Sequence, residues 1–180
     1  KIFKKIFYLS LHLSFICIFI SFAALIYAYI SSDFSNYNVF QNSHSSKPLI
    51  YKISGAWGNH EGSMLLWLTI MIFYNFIFSF NKTLDRDLKK LTIFFQALLY
   101  ICFSLFVIFT SNPFLVNSIQ MSEGLGLNPI LQDPVLAIHP PLLYVGYVGF
   151  SLILSLAMAG LFLNKIDTKW ITTTKNWTLF

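Results

Sequence analysis

The chain has 180 residues, 56% of them hydrophobic, 18% aromatic and only 11% charged, with a mean hydropathy of +0.66. Soluble domains carry about 25% charged residues, so a water-soluble globular enzyme is excluded and an all-α integral membrane protein is expected. The net charge of +5 would raise nucleic acid as a partner. The basic residues instead follow a membrane-topology pattern, and no nucleic-acid partner is expected.

The first apolar segment, residues 6–30, is long enough to cross about 30 Å of hydrocarbon as a helix. It is too long for a secretory leader and lacks a small-residue cleavage site. His12 lies about 9 Å in from Ile6 at about 1.5 Å per residue. An ionisable group in a span is a functional suspect, but snorkelling or a bond to a neighbouring helix accounts for it more simply. Cys17 here and Cys102 in the third segment form no Cys-x-x-Cys. They are expected to be small buried hydrophobes, not a thiol redox pair.

Residues 31–62 form the first long loop, rich in Ser, Asn and Gln over 31–50, where His44 is expected to be solvated. The loop ends in Trp57-Gly58-Asn59-His60-Glu61-Gly62-Ser63. Trp57 suits an aromatic belt, Glu61 suits a helix N-terminus by about 0.3–1 kcal/mol, and the glycines allow close backbone approach. The plain reading is a helix cap at the interface. The sharper one is a polar cluster bordering a cofactor, with Trp57, His60 and Glu61 as members.

The second span is expected over 63–80, with Phe73, Tyr74, Phe76, Phe78 and Phe80 facing lipid or packing. A short loop, 81–90, leads to the third span, 91–110, which stops at Ser111-Asn112-Pro113. The second long loop, 111–141, carries Val135, Leu136 and Ile138 among glycines and prolines and is expected along the membrane surface. It ends at His139-Pro140-Pro141, and the fourth span covers 142–163. Pro suits the first helical turn and disfavours α conformation in the residue before it. His139 is therefore expected just outside a helix end, with its imidazole at a membrane surface. A lone His cannot close a zinc site. It can be one axial ligand of a haem or another metal, or shuttle protons; a capping or interface hydrogen bond is the plainer alternative. The tail, 164–180, offers Trp170 and Trp177 as interfacial anchors and ends at Trp177-Thr178-Leu179-Phe180, which reads like the opening of another span.

With four spans, the N-terminus, the 81–90 loop and the tail share one side of the membrane. They hold Lys1, Lys4, Lys5, Lys82, Arg86, Lys89, Lys90, Lys165, Lys169 and Lys175, ten of the twelve basic residues. The long loops hold only Lys47 and Lys52. The positive-inside rule makes the long loops outer, so His44, His60 and His139 are expected on the outer side, within a single membrane domain over 1–180.

Several motifs then become specific. Trp57-Gly58-Asn59-His60-Glu61-Gly62-Ser63-Met64-Leu65-Leu66-Trp67, Thr110-Ser111-Asn112-Pro113-Phe114, Leu127-Asn128-Pro129-Ile130-Leu131-Gln132-Asp133-Pro134 and His139-Pro140-Pro141-Leu142-Leu143-Tyr144-Val145-Gly146-Tyr147-Val148-Gly149-Phe150 follow one another in order. In sequence and spacing they resemble the N-terminal part of the CcmF family, the haem-lyase component of cytochrome c maturation. The resemblance covers about residues 20–180. It implies haem as cofactor, received from a haem chaperone and attached to apocytochrome c on the outer side. His139 matches the first of two outer histidines that act as axial ligands to haem iron, and Trp57, His60 and Glu61 border the entry region. Asn59 stands where the family pattern has a small residue. The family's Trp-rich motif and second outer histidine do not occur in the sequence. The chain is therefore expected to be a non-autonomous subunit or fragment, with a partner polypeptide carrying the rest. The abundance of Phe, Tyr, Ile, Asn and Lys fits an AT-rich genome and a split mitochondrial gene, hence the mitochondrial inner membrane, or otherwise a bacterial inner membrane. The alternative is a structural or assembly subunit of a larger respiratory complex, without haem handling.

Overall fold

The computed structural model describes residues 2–119 and 121–179, with side chains from Lys5 onward. Lys1, counted above among the inner charges, and Phe180, at the end of the tail motif, lie outside the described residues, as does the side chain of Lys4. Among the described residues seven α-helices follow in order: α1 (Ile2–Ser31), α2 (Tyr37–Asn42), α3 (Leu49–Gly55), α4 (His60–Ser79), α5 (Arg86–Thr110), α6 (Pro134–Leu163) and α7 (Thr168–Leu179). A 3-10 turn covers Pro129–Leu131. Among the described residues there is no β-strand, only one isolated antiparallel bridge between Asn36 and Val116. α1, α4, α5 and α6 are each long and apolar enough to cross a membrane. The fold is all-α and membrane-spanning.

The fourth long helix begins eight residues earlier than expected, and this corrects the placement of His139. It lies inside α6, not outside its end. The cause is Asp133-Pro134. Pro134 takes the first helical position, where a missing N–H costs nothing. The Asp133 carboxylate accepts from the Val135 N–H at 2.8 Å, and its carbonyl accepts from the Ala137 N–H at 2.9 Å. The helix start is satisfied before Pro140 is reached, and α6 then runs on through both prolines.

The most apolar window of α4 is 67% buried, against 11% for α1. Their apolar residues therefore do different work: those of α4 form protein core, and many of those of α1 face outward as lipid would require. The chain divides into two compact units, and each long helix contributes a stretch to both.

The first unit comprises Lys1–Cys17, Leu68–Ser104 and Tyr144–Phe180. Its core includes Met71, Ile72, Phe78, Leu88, Ile93, Leu152 and Leu156. Polar side chains tie its helices together. Gln96 of α5 donates to the Ser151 hydroxyl at 2.7 Å and accepts from Ser155 at 2.8 Å. The Tyr74 hydroxyl donates to the Val145 carbonyl at 2.7 Å. Gly149 permits that approach, since a Cβ there would sit 3.1 Å from the Tyr74 oxygen. α7 docks through both tryptophans: the Trp170 indole donates to the Leu156 carbonyl at 3.0 Å, and Trp177 meets Tyr74 and Phe78 edge-on. His12 stacks on Phe80 and meets Phe76 edge-on. Its Nε2 is buried without a hydrogen-bond partner among the described residues.

The second unit comprises Ile18–Trp67 and Leu105–Leu143. Its core is Leu25, Tyr29, Phe34, Val39, Ala56 and Leu65, with Trp57 and Met121 packed against it. The two long loops are fastened to each other. Tyr37 N–H donates to Leu115 O and Asn117 N–H to Ser35 O, both at 2.8 Å. The Asn36 side chain caps α2 and donates to Pro113 O at 3.0 Å. Farther along, Leu125 N–H meets Phe40 O and Gly126 N–H meets Ser43 O. The Glu123 carboxylate takes both the N–H and the hydroxyl of Ser45. These bonds, followed by those from Gly124 and the charge of His44, hold the Glu123 carboxyl down at about 2.

Candidate functional site

The segment Trp57–Ser63 starts a helix, and Asn59 organises it. Its Oδ1 accepts from the Gly62 N–H at 2.8 Å, the geometry of an N-cap three residues before the bonded amide. Its Nδ2 donates to Gly55 O at 2.7 Å and to the Tyr29 hydroxyl at 3.0 Å. Position 62 must be Gly, because a Cβ would overlap the Ala56 carbonyl oxygen. The Ser63 hydroxyl closes the turn on Trp57 O and Asn59 O.

This cap belongs to a larger polar network. Tyr29 is fully buried, and its hydroxyl lies 2.5 Å from Asn38 Oδ1. The Asn38 amide donates to Asn59 Oδ1 at 2.8 Å and to the Glu61 carboxylate at 3.3 Å. Asn42 donates to Asn38 O at 2.9 Å. Buried polar groups are costly unless paired, and these satisfy one another. The network lines one wall of a cavity of about 240 Å³ with Gln41, Asn42, Glu61 and Asn112 on its surface. His60 points elsewhere: its Nε2 lies 2.9 Å from the hydroxyl of the buried Ser111, which ties the start of α4 to the end of α5.

Trp57 reaches α6. Its indole N–H donates to Ala137 O at 2.9 Å, two residues before His139. In an α-helix that carbonyl would accept from the N–H of residue 141, and residue 141 is Pro, which has none. The indole therefore supplies the donor that the second proline withholds. Trp57 and the His139-Pro140-Pro141 motif, joined through Ala137 80 residues from Trp57, are parts of one device.

His139 itself is exposed and has no hydrogen-bond partner among the described residues. Val135, Ile138, Leu142 and Leu143 are 50–71% exposed and share the i, i+3, i+4, i+7, i+8 face of α6 with it. The imidazole stands in the middle of an exposed apolar stripe, while the opposite side of the turn, at Ala137, is buried. Among the described residues no three His, Cys, Asp or Glu side chains come together as a metal cage. One imidazole nitrogen on an apolar surface is a donor set that would suit haem, whose iron binds histidine and whose macrocycle is largely apolar. The residues fit that group at His139. They do not gather His60 and Glu61 around the same point: His60 is engaged with Ser111, and Glu61 with Asn38.

A model of the cytochrome C assembly protein family matches residues 57–179, the stretch that holds both parts of this device. The chain belongs to that family. It is 52% identical over 166 residues to the cytochrome c-type biogenesis protein CycK of Rhizobium meliloti, covering 92% of this chain and 25% of that protein. It is 38% identical over 161 residues to the cytochrome c-type biogenesis protein CcmF of Escherichia coli, covering 88% and 25%. Among solved structures it is similar to cytochrome c heme lyase CcmF, with a TM-score of 0.79, 27% identity, and coverage of 94% of this chain and 26% of that one. The chain thus spans about a quarter of the length of the relatives it matches, and it corresponds to the N-terminal part of the CcmF family.

Sequence reasoning named Trp57, His60, Glu61 and His139 but missed Ser111, which holds His60, Asn38, which holds Glu61, and Tyr29, which anchors Asn38 and Asn59. Tyr29 looked like one more aromatic residue in an apolar helix. Asn59, noted only as a departure from pattern, was the available signal: a half-buried amide calls for several partners.

Proposed function

We propose that this chain is the N-terminal portion of a cytochrome c haem lyase, acting as a non-autonomous subunit that helps receive haem and attach it to apocytochrome c at the outer side of the membrane. His139 carries the reading: an exposed imidazole without a hydrogen-bond partner among the described residues, centred on an apolar stripe of α6. His139 would provide one axial nitrogen to haem iron, and Val135, Ile138, Leu142 and Leu143 would cover porphyrin surface. Trp57 would act on the helix turn that carries His139, not on the haem. Bound haem would supply the vinyl groups that the thiols of a Cys-x-x-Cys-His segment attack. His60 and Glu61 would brace the start of α4, where the cavity beside Asn38 opens. A polypeptide with the family's Trp-rich motif and second outer histidine would complete the site, with a haem chaperone and apocytochrome c as the other partners. The residue bias favours a mitochondrial inner membrane, and the bacterial relatives favour a bacterial one.

The test is His139→Ala in the host, read by haem staining of c-type cytochromes and by the Soret absorbance of the purified membrane complex. Loss of both, with the complex still assembled, is the expected result. Unchanged holocytochrome levels would refute haem ligation by His139 and leave the chain as an assembly subunit.

A further inference from the structure

The first unit carries a cavity of about 500 Å³, lined by lysine, threonine and asparagine side chains, which includes none of the residues discussed above as haem-handling. Lys82 and Thr83 of the α4–α5 turn line one side. Lys169, Thr172, Thr173 and Asn176 of α7 line the other. These four sit at i, i+3, i+4 and i+7, one continuous stripe of that helix. The stripe is held in place: Trp170 and Trp177 dock α7 onto the helices beneath it, and the Thr173 hydroxyl, almost fully buried, lies 3.3 Å from that of Thr83.

The charge pattern points to a ligand. Lys165 is paired with Asp85 at 3.0 Å, and Lys90 with Asp87 at 3.2 Å. Lys82 and Lys169 form no ion pair with any described residue, although acidic side chains lie nearby in sequence. The cavity thus presents two unneutralised ammonium groups with hydroxyl and amide donors between them, and no carboxylate lines it. A tetrahedral phosphate oxyanion satisfies such a donor set, with charge-assisted bonds to lysine and neutral ones to threonine. Apolar side chains close in sequence to the lining residues are exposed: Phe80, Ile166 and Ile171 are each more than half exposed. A headgroup in the cavity would leave its acyl chains against them. Clustered basic side chains beside the ends of spanning helices favour anionic headgroups in this way.

We propose that this cavity binds the phosphate of an anionic phospholipid, which pins α7 to the α4–α5 turn. The reading is independent of haem handling at His139. The test uses the protein complex extracted from its own membrane and exchanged into nanodiscs with equal phosphatidylglycerol and phosphatidylcholine, with retained lipid counted by native mass spectrometry. Selective retention of phosphatidylglycerol is expected. It should fall about tenfold or more in K82Q/K169Q, recover in K82R/K169R, and stay unchanged in K175Q, whose lysine does not line the cavity. A second arm adds inorganic phosphate at millimolar concentration. Retention should survive it; displacement would show a soluble phosphate site and overturn the lipid assignment. Equal retention by the wild type and K82Q/K169Q would overturn the site altogether.

Discussion

The bond from Trp57 to Ala137 makes a prediction that can be separated from any effect of haem. Replacing Trp57 by Phe removes the indole N–H but keeps an aromatic ring. Ala137 O is then left without a donor, because Pro141 has no N–H to give. A buried carbonyl stripped of its partner costs about 1–3 kcal/mol. For a chain of this size, each kcal/mol moves the melting temperature by roughly 2–4 °C, so W57F should melt several degrees lower in detergent. Part of that loss could come from altered ring packing against Phe22, whose centroid lies 6.4 Å away. The double-mutant cycle with Pro141→Ala removes this ambiguity. Alanine at 141 restores an N–H that can close the ordinary helical bond to Ala137 O, so W57F should cost much less in the P141A background. A coupling of about 1 kcal/mol or more is expected for groups that share one acceptor. Strictly additive melting shifts would refute the shared-acceptor argument. If His139 ligates haem, the Soret spectrum of W57F should also broaden or shift as the imidazole loses its fixed orientation, and P141A/W57F should partly restore it.

Three other outcomes follow from the geometry. Gln96→Leu removes both bonds that Gln96 makes to Ser151 and Ser155, and interhelical hydrogen bonds of this kind contribute roughly 0.6–1.7 kcal/mol; a steric-trapping or thermal assay should find a loss in that range, and no loss would mean the serines re-pair locally. Asn59→Ala should destabilise more, since it removes the N-cap of α4 along with donors to Tyr29 and Gly55, with about 1 kcal/mol from the cap alone; Asn59→Asp, which keeps the cap oxygen but puts a second carboxylate beside Glu61, should not rescue it fully. The Glu123 clamp on Ser45 should open with acid: its carboxyl is held at about 2, below the unfolded value, so its contribution is complete above the unfolded value and is lost as pH falls through about 2. The protection factor of the Ser45 amide, its exchange rate relative to the intrinsic rate at each pH, should stay constant from pH 7 to 5 and fall between about 4 and 2, and in E123Q it should be low throughout.

The membrane class and the number of spans were legible because each span is long, apolar and free of charge at its centre. The limits of the helices were harder to read. The rule that a residue before proline avoids the α region argued for a helix start at Pro140, and it was outweighed by Asp133-Pro134, a stronger start signal seven residues upstream. The first loop read as a polar segment and the second as one lying along the membrane surface. Their pairing through Asn36, Asn117 and Glu123 depends mainly on backbone partners 77 to 83 residues away, which no local pattern encodes. α7 was read as a tail with two interfacial tryptophans; the indoles also meet groups of α4 and α6, where Leu156 O accepts the N–H of Trp170 and Tyr74 and Phe78 pack on Trp177.

The candidate site shows the same limit from the other side. Every residue type needed to suspect it was visible: a Trp-led helix start, a carboxylate beside it, and a histidine ahead of two prolines. What joined them was not visible, because the joining atom is a main-chain carbonyl whose identity matters only through the donor it lacks. A single proline in a helix frees one acceptor. Two in succession free Leu136 O and Ala137 O together, and a turn with two unsatisfied carbonyls is pliable unless something outside the helix binds it. Trp57 binds one of them. The turn bearing His139 is thus oriented from the start of α4, through the same seven residues that Asn59 caps and Tyr29 anchors. A substitution anywhere along Tyr29, Asn59 and Trp57 should therefore reach the imidazole without touching it, and it should do so by loosening its orientation rather than by changing its chemistry.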